Sequence, residues 1–209
     1  MKRSLLISAL AAACSLSLAP GFSSRAETLT GDALLEVNRA LPITSNKMVY
    51  WPTGPVVGAE AAILIEAETG TILYEKNIHQ KEYPASTTKI LTTLMAAETC
   101  DLDDIVSFSH DAIFDTPRDS SHIAMDVGQE LTVEQCLNAI LIRSANEVCY
   151  ALAEHITGTT DWSVFAEMMN QPAQELGCLN THISNPNGLP DENHYTTAYD
   201  LAMNGRAYF

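Results

Sequence analysis

The sequence predicts an α/β protein of the α+β type, in which a cluster of helices packs on an antiparallel sheet. Two patterns lead to this prediction. A strand, a turn and a second strand follow one another in residues 61–75, and the later periodic segments have the apolar spacing of helices. Because a single hairpin is only marginally stable, its neighbouring strands should lie downstream. The sheet is therefore expected to be incomplete in these 209 residues.

Composition narrows the classes of function. The chain has 26 acidic and 11 basic residues and a formal net charge of −15. Such an acidic chain is a poor candidate for binding nucleic acid or an anionic membrane through charge. The hydrophobic content of 46% is ordinary for a globular protein with a real core.

Residues 1–26 have the pattern of a secretory signal peptide. Lys2 and Arg3 precede an apolar run, and Ser24-Arg25-Ala26 matches a small-x-small cleavage site. The run is too short for a comfortable membrane span. A lipoprotein signal at Cys14 is a weaker alternative. We therefore predict a secreted, extracytoplasmic protein.

The chain then divides into a lead-in and a main domain. Residues 27–55 form the N-terminal lead-in, with a short helix predicted over 31–41 and extended chain after it. The main domain, residues 56–209, begins with the hairpin, whose strands are expected over 61–66 and 71–75.

Helices dominate the remainder of the main domain. A helix follows residue 89, and a short one is expected near 110–114 in a loop-rich segment. A Thr132–Gln135 capping box begins the next helix. The apolar positions expected to face the core are Ile90, Leu91, Leu94 and Met95, then Leu137, Ile140 and Leu141, then Val148, Leu152 and Ile156.

The last third of the chain alternates helix and loop. A helix is predicted over 161–176, with Gly177 as its C-terminal cap and Pro172 as a kink or early end. A turn-rich loop over 180–195 leads to a final helix that Thr197 caps.

Cysteine and histidine patterns argue against a metal or a cofactor. Four cysteines remain after signal removal: Cys100, Cys136, Cys149 and Cys178. We predict that they are free, mostly buried thiols rather than members of disulfides. No C-x-x-C or H-E-x-x-H spacing occurs, so we expect no metal and place the histidines at the surface or in loops.

The chemistry centres on Ser86 and Lys89, an S-x-x-K pair at the front of a helix. Three residues are close to one helical turn, so both side chains project from one face. Serine is a weak nucleophile that needs a base, and a lysine with a pKa lowered by burial can serve. The plain alternative is a capping serine followed by a solvated lysine.

A second polar pair, Ser144 and Asn146, separates two helical segments 58 residues after Ser86. The serine can relay a proton to a leaving group, and the asparagine amide can bind a substrate carbonyl. Alone, this pair would be read as a helix break with caps. The presence of both pairs, in this order, favours catalysis, because it is the ordered signature of penicillin-binding proteins and serine β-lactamases.

The chain resembles the serine-type D-alanyl-D-alanine carboxypeptidases, which are the low-molecular-mass penicillin-binding proteins. The resemblance runs from about residue 51 to residue 209 and is carried by segments 59–77, 84–98, 127–135, 141–146, 185–190 and 195–202. It implies a β-lactamase/transpeptidase-like fold and identifies residues 56–209 as the catalytic domain.

The resemblance also implies a role for each matched residue. Ser86 would be the acyl-enzyme nucleophile and Lys89 its base. Ser144 would pass a proton to the departing D-alanine, and Asn146 would orient the peptide. The substrate would be a peptidoglycan stem peptide ending in D-Ala-D-Ala, and β-lactams would acylate Ser86. Neither a metal nor a cofactor is implied.

Some positions depart from the pattern of the family. Glu147 and Cys149 stand where aspartate and a small residue are commoner. More seriously, no lysine follows Lys89, so the Lys-Thr-Gly strand that binds the substrate carboxylate is missing. We therefore expect a C-terminally truncated catalytic domain with little or no activity. Membrane association through a C-terminal segment outside these residues stays open.

Two alternatives remain at this point. One is a class A-like β-lactamase, which would turn over β-lactams rapidly. The other is a catalytically dead homologue that binds the cell wall and keeps the fold without the third motif.

Overall fold

The computed structural model describes residues 30–206, so the predicted signal peptide lies outside the described residues. The elements are helices and short antiparallel strands, in the order α1 (Gly31–Ala40), β1 (Ala62–Ile65), β2 (Ile72–Lys76), α2 (Thr88–Thr99), β3 (Ile105–Ser107), α3 (His110–Phe114), β4 (Glu130–Thr132), α4 (Val133–Arg143), α5 (Asn146–Thr157), α6 (Trp162–Glu175) and α7 (Ala198–Arg206). Two 3₁₀ turns, Ser45–Lys47 and Ala85–Thr87, complete the order. The α+β class is confirmed.

The hairpin forms as the alternation of its residues predicts. β1 and β2 pair antiparallel, from Ala62 opposite Lys76 to Ile65 opposite Ile72, with one irregularity in register after Leu64. Helix α7 packs on β1. This contact provides the packing of a helix on an antiparallel sheet that the sequence predicts.

A second pair of strands was not predicted. β3 and β4 pair antiparallel over three residues each, with Val106 opposite Leu131. Such short strands leave almost no alternating pattern to detect. The pair is useful structurally because it fixes the segment before α3 to the start of α4, where the predicted capping box of Thr132 and Gln135 is present.

The core is built around α5. Its first eight residues, 146–153, are all buried, and it packs against α2, α4 and α6. One apolar cluster joins α5 to β3 and α4 through Val106, Ile140 and Leu152, and a second joins it to α2 and α6. The helices that carry the two polar motifs are therefore packed on each other.

The predicted burial was wrong for two apolar residues. Ile90 in α2 is 49% exposed and Leu141 in α4 is 62% exposed. Threonines take the place of Ile90 on the inner face of α2, where Thr88 and Thr92 are fully buried. Their hydroxyl groups form hydrogen bonds with a neighbouring loop, and these bonds offset the cost of burying polar atoms.

Pro172 does not end its helix, because α6 continues past it to Glu175.

The prediction of free thiols is confirmed for the four cysteines of the described part of the chain. Burial raises the pKa of Cys136 and of Cys149 to about 12, and the pKa of Cys178 to about 11. These three thiols are therefore inert side chains of the interior.

Lys76, at the end of β2, binds segments that precede the hairpin to its second strand. Its side chain is 1% exposed, and Nζ donates to the carbonyl oxygens of Asn38 at 2.6 Å, Val57 at 3.0 Å and Ala59 at 2.7 Å. Three carbonyls thus replace the water that a buried ammonium loses.

We expect Lys76→Met to lower the free energy of unfolding by at least about 2 kcal/mol, because it leaves buried carbonyl oxygens without a charged donor. Methionine retains most of the apolar stem. Lys47→Met is the matched control, since Lys47 is exposed and should change stability by less than about 0.5 kcal/mol. Urea unfolding followed by tryptophan fluorescence measures both variants, and equal losses would contradict the role given to Lys76.

Candidate active site

Ser86 lies in the 3₁₀ turn that precedes α2, rather than in the helix itself. Pro84 and Thr87 close this turn through a backbone hydrogen bond of 3.2 Å. Ala85 has a φ of 48°, which is unusual for a residue with a Cβ. Ser86 is exposed. The turn therefore presents its hydroxyl to solvent at the front of a buried helix.

Lys89 points back from the first turn of α2 towards Ser86. Its side chain is almost wholly buried, with 3% exposure. Nζ lies 3.2 Å from Ser86 Oγ and donates to the carbonyl oxygen of Asn187 at 2.6 Å. Burial lowers the pKa of the Lys89 ammonium. The predicted proximity of serine and lysine is thus present, with a buried lysine rather than a solvated one.

Ser144 occupies the junction between α4 and α5. It ends α4 in the left-handed region, with φ 57° and ψ 35°. Its Oγ donates to Ser86 Oγ at 3.0 Å. The structure therefore brings three predicted side chains together: the hydroxyl of Ser86 contacts both the amine of Lys89 and the hydroxyl of Ser144.

Asn146 begins α5 and is buried, but its side chain does not join this cluster directly. Its backbone N–H donates to the carbonyl of Ser121 at 2.9 Å, and within residues 30–206 its amide group has no hydrogen-bond partner. The neighbouring Glu147 is 2% exposed and accepts from the backbone of Ile123 at 2.7 Å. Both residues hold the 121–123 segment against the start of α5.

Asn187 is a site residue that the sequence analysis missed. It belongs to the loop 185–190, which Asn185 shapes by accepting from the N–H of Gly188 at 2.7 Å and donating to the carbonyl of Leu189 at 3.0 Å. The carbonyl of Pro186, in the same loop, accepts from Thr92 at 2.5 Å. The loop contacts α2 through backbone carbonyls, which every residue type has. The sequence of the loop therefore could not reveal this contact.

Gly188 allows the loop to approach the turn that carries Ser86. Its φ is +81°, and a Cβ at this position would overlap the carbonyl oxygen of Ala85. Only glycine meets both demands at once. The position of Ser86 therefore depends on a residue about a hundred positions later in the chain.

His194 is a second residue of this region that the sequence analysis did not single out; it lies in a loop, as predicted for the histidines, and is 2% exposed. Its Nδ1 accepts from the N–H of Ser184 at 3.3 Å, and its Nε2 lies 2.8 Å from Thr88 Oγ1. Burial lowers the pKa of His194 to about 4. The ring is therefore neutral at neutral pH and donates to Thr88 beside Lys89.

A cavity lies elsewhere in the described chain. It has a volume of about 390 Å³ and is lined by residues that include Phe114, Arg118, His122 and Glu147. It includes none of the residues Ser86, Lys89 and Ser144. We therefore locate the candidate site by its polar contacts.

None of the helices in residues 30–206 has the length and apolar character needed to cross a membrane.

The arrangement of these elements is shared with solved penicillin-binding proteins. The D-alanyl-D-alanine carboxypeptidase DacD from Francisella tularensis superposes with a TM-score of 0.70 at 34% identity, over 78% of this chain and 39% of that chain. A mutant of the Streptomyces K15 DD-transpeptidase gives a TM-score of 0.69 at 28% identity, over 74% and 63% of the two chains. The fold is thus that of the penicillin-binding and transpeptidase class.

Sequence comparison names the family within this class. The profile of the D-alanyl-D-alanine carboxypeptidases matches residues 48–209. DacF of Bacillus subtilis is 41% identical over 150 residues, which are 69% of this chain and 37% of that protein, and DacA of Haemophilus influenzae is 31% identical over 171 residues, 79% and 43%. The chain belongs to the D-alanyl-D-alanine carboxypeptidase family. It spans less than half the length of these curated relatives.

We expect Gly188→Ala to lower the free energy of unfolding by about 2–4 kcal/mol, because it adds both a left-handed backbone penalty and an overlap with Ala85. Gly177→Ala is the matched control: Gly177 has a φ of +79°, but nothing lies within 4 Å of its Cβ direction. That control should cost only the left-handed penalty of about 1–2 kcal/mol. Chemical denaturation of both variants tests the difference, and losses of equal size would mean that the close approach is unimportant.

Proposed function

We propose that the chain carries the nucleophile, base and proton relay of a serine-type D-alanyl-D-alanine carboxypeptidase. The observation that carries the proposal is the double contact of Ser86 Oγ, 3.2 Å from Lys89 Nζ and 3.0 Å from Ser144 Oγ. A serine flanked by a buried amine and a second hydroxyl can give its proton to the amine, while the second hydroxyl supplies a proton to the leaving group.

In the first step, Ser86 Oγ attacks the carbonyl carbon of the penultimate D-alanine while Lys89 takes its proton. Lys89 acts in its neutral form: it can donate one N–H to the carbonyl of Asn187 and still direct its lone pair at Ser86. Its burial supports this role, since a lowered pKa enlarges the neutral fraction.

The leaving group then needs a proton on nitrogen. Ser144 passes its hydroxyl proton to the nitrogen of the departing D-alanine as the peptide bond breaks, and the proton that Lys89 took from Ser86 replaces it. Water finally hydrolyses the ester on Ser86 and regenerates the serine. Asn146, whose amide is uncommitted within residues 30–206, orients the bound peptide.

The substrate proposed is a peptidoglycan stem peptide ending in D-Ala-D-Ala, and β-lactams would acylate Ser86 as mimics of it. This substrate lies outside the cytoplasmic membrane, which agrees with the signal pattern of residues 1–26. The 209 residues contain no Lys-Thr-Gly segment to bind the terminal carboxylate. We therefore expect slow acylation and little turnover from this chain.

Covalent labelling tests the proposal. Prolonged incubation of the full chain with a fluorescent penicillin, and separately with a small aryl sulfonyl fluoride that needs only an activated serine, should give one adduct, located at Ser86 by peptide mass spectrometry. Ser86→Ala should abolish it, and Ser144→Ala should slow it by about 10²-fold or more. Ser109→Ala is the control, since Ser109 caps α3 away from the site.

The outcomes separate the alternatives. Labelling of Ser86→Ala equal to that of the unchanged chain, or no adduct with either reagent, would contradict the nucleophile. Rapid turnover of nitrocefin in place of a lasting adduct would favour a β-lactamase. A sulfonyl adduct without a penicillin adduct would keep the activated serine but exclude β-lactam-like substrates.

The pH dependence follows from the burial of Lys89. Its protonated form cannot accept a proton, so the acylation rate should rise with pH, along a limb whose midpoint lies below the ordinary pKa of lysine. Lys89→Arg, which keeps the charge and cannot deprotonate, should lose this limb and slow labelling by about 10²-fold or more. Stopped labelling reactions across pH 6–10 measure the profile. A flat profile, or an unchanged rate in Lys89→Arg, would assign the base elsewhere.

A further inference from the structure

A group of three potential metal ligands lies away from the candidate active site. Ligand atoms of Cys100, Asp104 and His155 all lie within 4.8 Å of one another. Each residue comes from a different part of the fold: Cys100 directly follows α2, Asp104 precedes β3, and His155 is in the last turn of α5. Sequence spacing could not reveal this group, because its members meet only in the folded chain.

Two of the three residues are held in place by their backbones. Asp104 donates its N–H to the carbonyl of Asp101 at 3.0 Å, and its own carbonyl accepts from Val133 at 2.9 Å. One carboxylate oxygen of Asp104 also accepts from the N–H of Asp101 at 3.0 Å. The N–H of Cys100 donates to the carbonyl of Ala96 at 3.0 Å. Cys100 Sγ lies 3.7 Å from Thr99 Oγ1, a contact in which the sulfur can act as acceptor. The other carboxylate oxygen of Asp104 has no hydrogen bond within residues 30–206, so both groups can reach a ligand.

His155 completes the group from the side of α5. It is exposed, and its ring forms no hydrogen bond within residues 30–206. Rotation about its side-chain bonds can therefore bring a ring nitrogen closer to the other two residues. The exposure also leaves one side of the group open to water.

The donor atoms identify the class of ion. Sulfur, nitrogen and one carboxylate oxygen form a set that suits a borderline divalent metal such as zinc, whereas magnesium and calcium prefer oxygen alone. Zinc binds these atoms at about 2.0–2.3 Å in a tetrahedron. Ligand atoms at such distances are separated by roughly 3.3–3.8 Å, so the group must contract by at most about 1.5 Å, which side-chain rotation can provide.

We propose that Cys100, Asp104 and His155 bind a zinc ion, with water as the fourth ligand. The ion would join the C-terminal ends of α2 and α5. The opposite ends of these two helices carry Lys89 and Asn146. The proposed ion would thus brace the pair of helices on which the candidate active site is built, without touching that site.

Isothermal titration of the purified, metal-free full chain with zinc chloride tests the proposal. We expect one site, and at least a tenfold weaker affinity in each of Cys100→Ala and His155→Gln. His110→Gln is the matched control, because His110 is also an exposed histidine beside a carboxylate, that of Asp111. It should bind zinc like the unchanged chain.

Cobalt provides an independent readout of the thiolate. The unchanged chain with Co²⁺ should show a sulfur-to-cobalt charge-transfer band in the near ultraviolet, and Cys100→Ala should lack it. Zinc affinity unaffected by His155→Gln, no binding at all, or a band that persists in Cys100→Ala would overturn the site. Since His155 is exposed, His155→Gln should leave folding and Ser86 labelling unchanged, so the result is separate from the proposed function.

Discussion

The buried amine of Lys89 is the constraint on which the candidate site depends. An ammonium that loses its water must find partners, and within residues 30–206 those of Lys89 are a hydroxyl and a backbone carbonyl, without a carboxylate. This environment favours the neutral amine. It also requires the loop 185–190 to lie close to α2, which explains the buried threonines of that helix and the glycine at position 188. The chemistry of one side chain thus dictates the packing of two distant segments.

Both serine hydroxyls of the site lie in or beside strained backbone. Ala85, next to the first, has a φ of 48°, and Ser144, which bears the second, has a φ of 57°. Each costs roughly 1–2 kcal/mol relative to ordinary backbone. The packing of the surrounding structure offsets this strain. It consists of the buried first half of α5 and the apolar clusters that join α5 to α2 and α4. Strain is concentrated where a side chain must be aimed, as is common at functional sites.

Local signals predicted the hairpin, the α3 helix, the Thr132 capping box and the pairing of Ser86 with Lys89. Each depends on residues within a few positions of one another. The failures share the opposite property. Leu141 is exposed because the partner of α4 covers a different face, and the three-residue strands β3 and β4 are stable only through each other. Asn187 contributes a backbone carbonyl, and the burial of His194 depends on Thr88, so neither could be inferred from neighbouring residues.

The hydrogen bond between Lys89 and Asn187 joins residues 98 positions apart. Closing so long a loop has an entropic cost that only tertiary packing offsets, so we expect contacts of this kind to form late in folding. The helix with its serine and lysine can form early, but the lysine remains solvated and charged until the distant loop arrives. The buried, carbonyl-bonded state of the Lys89 amine is therefore a property of the completed tertiary structure and of no smaller part of the chain.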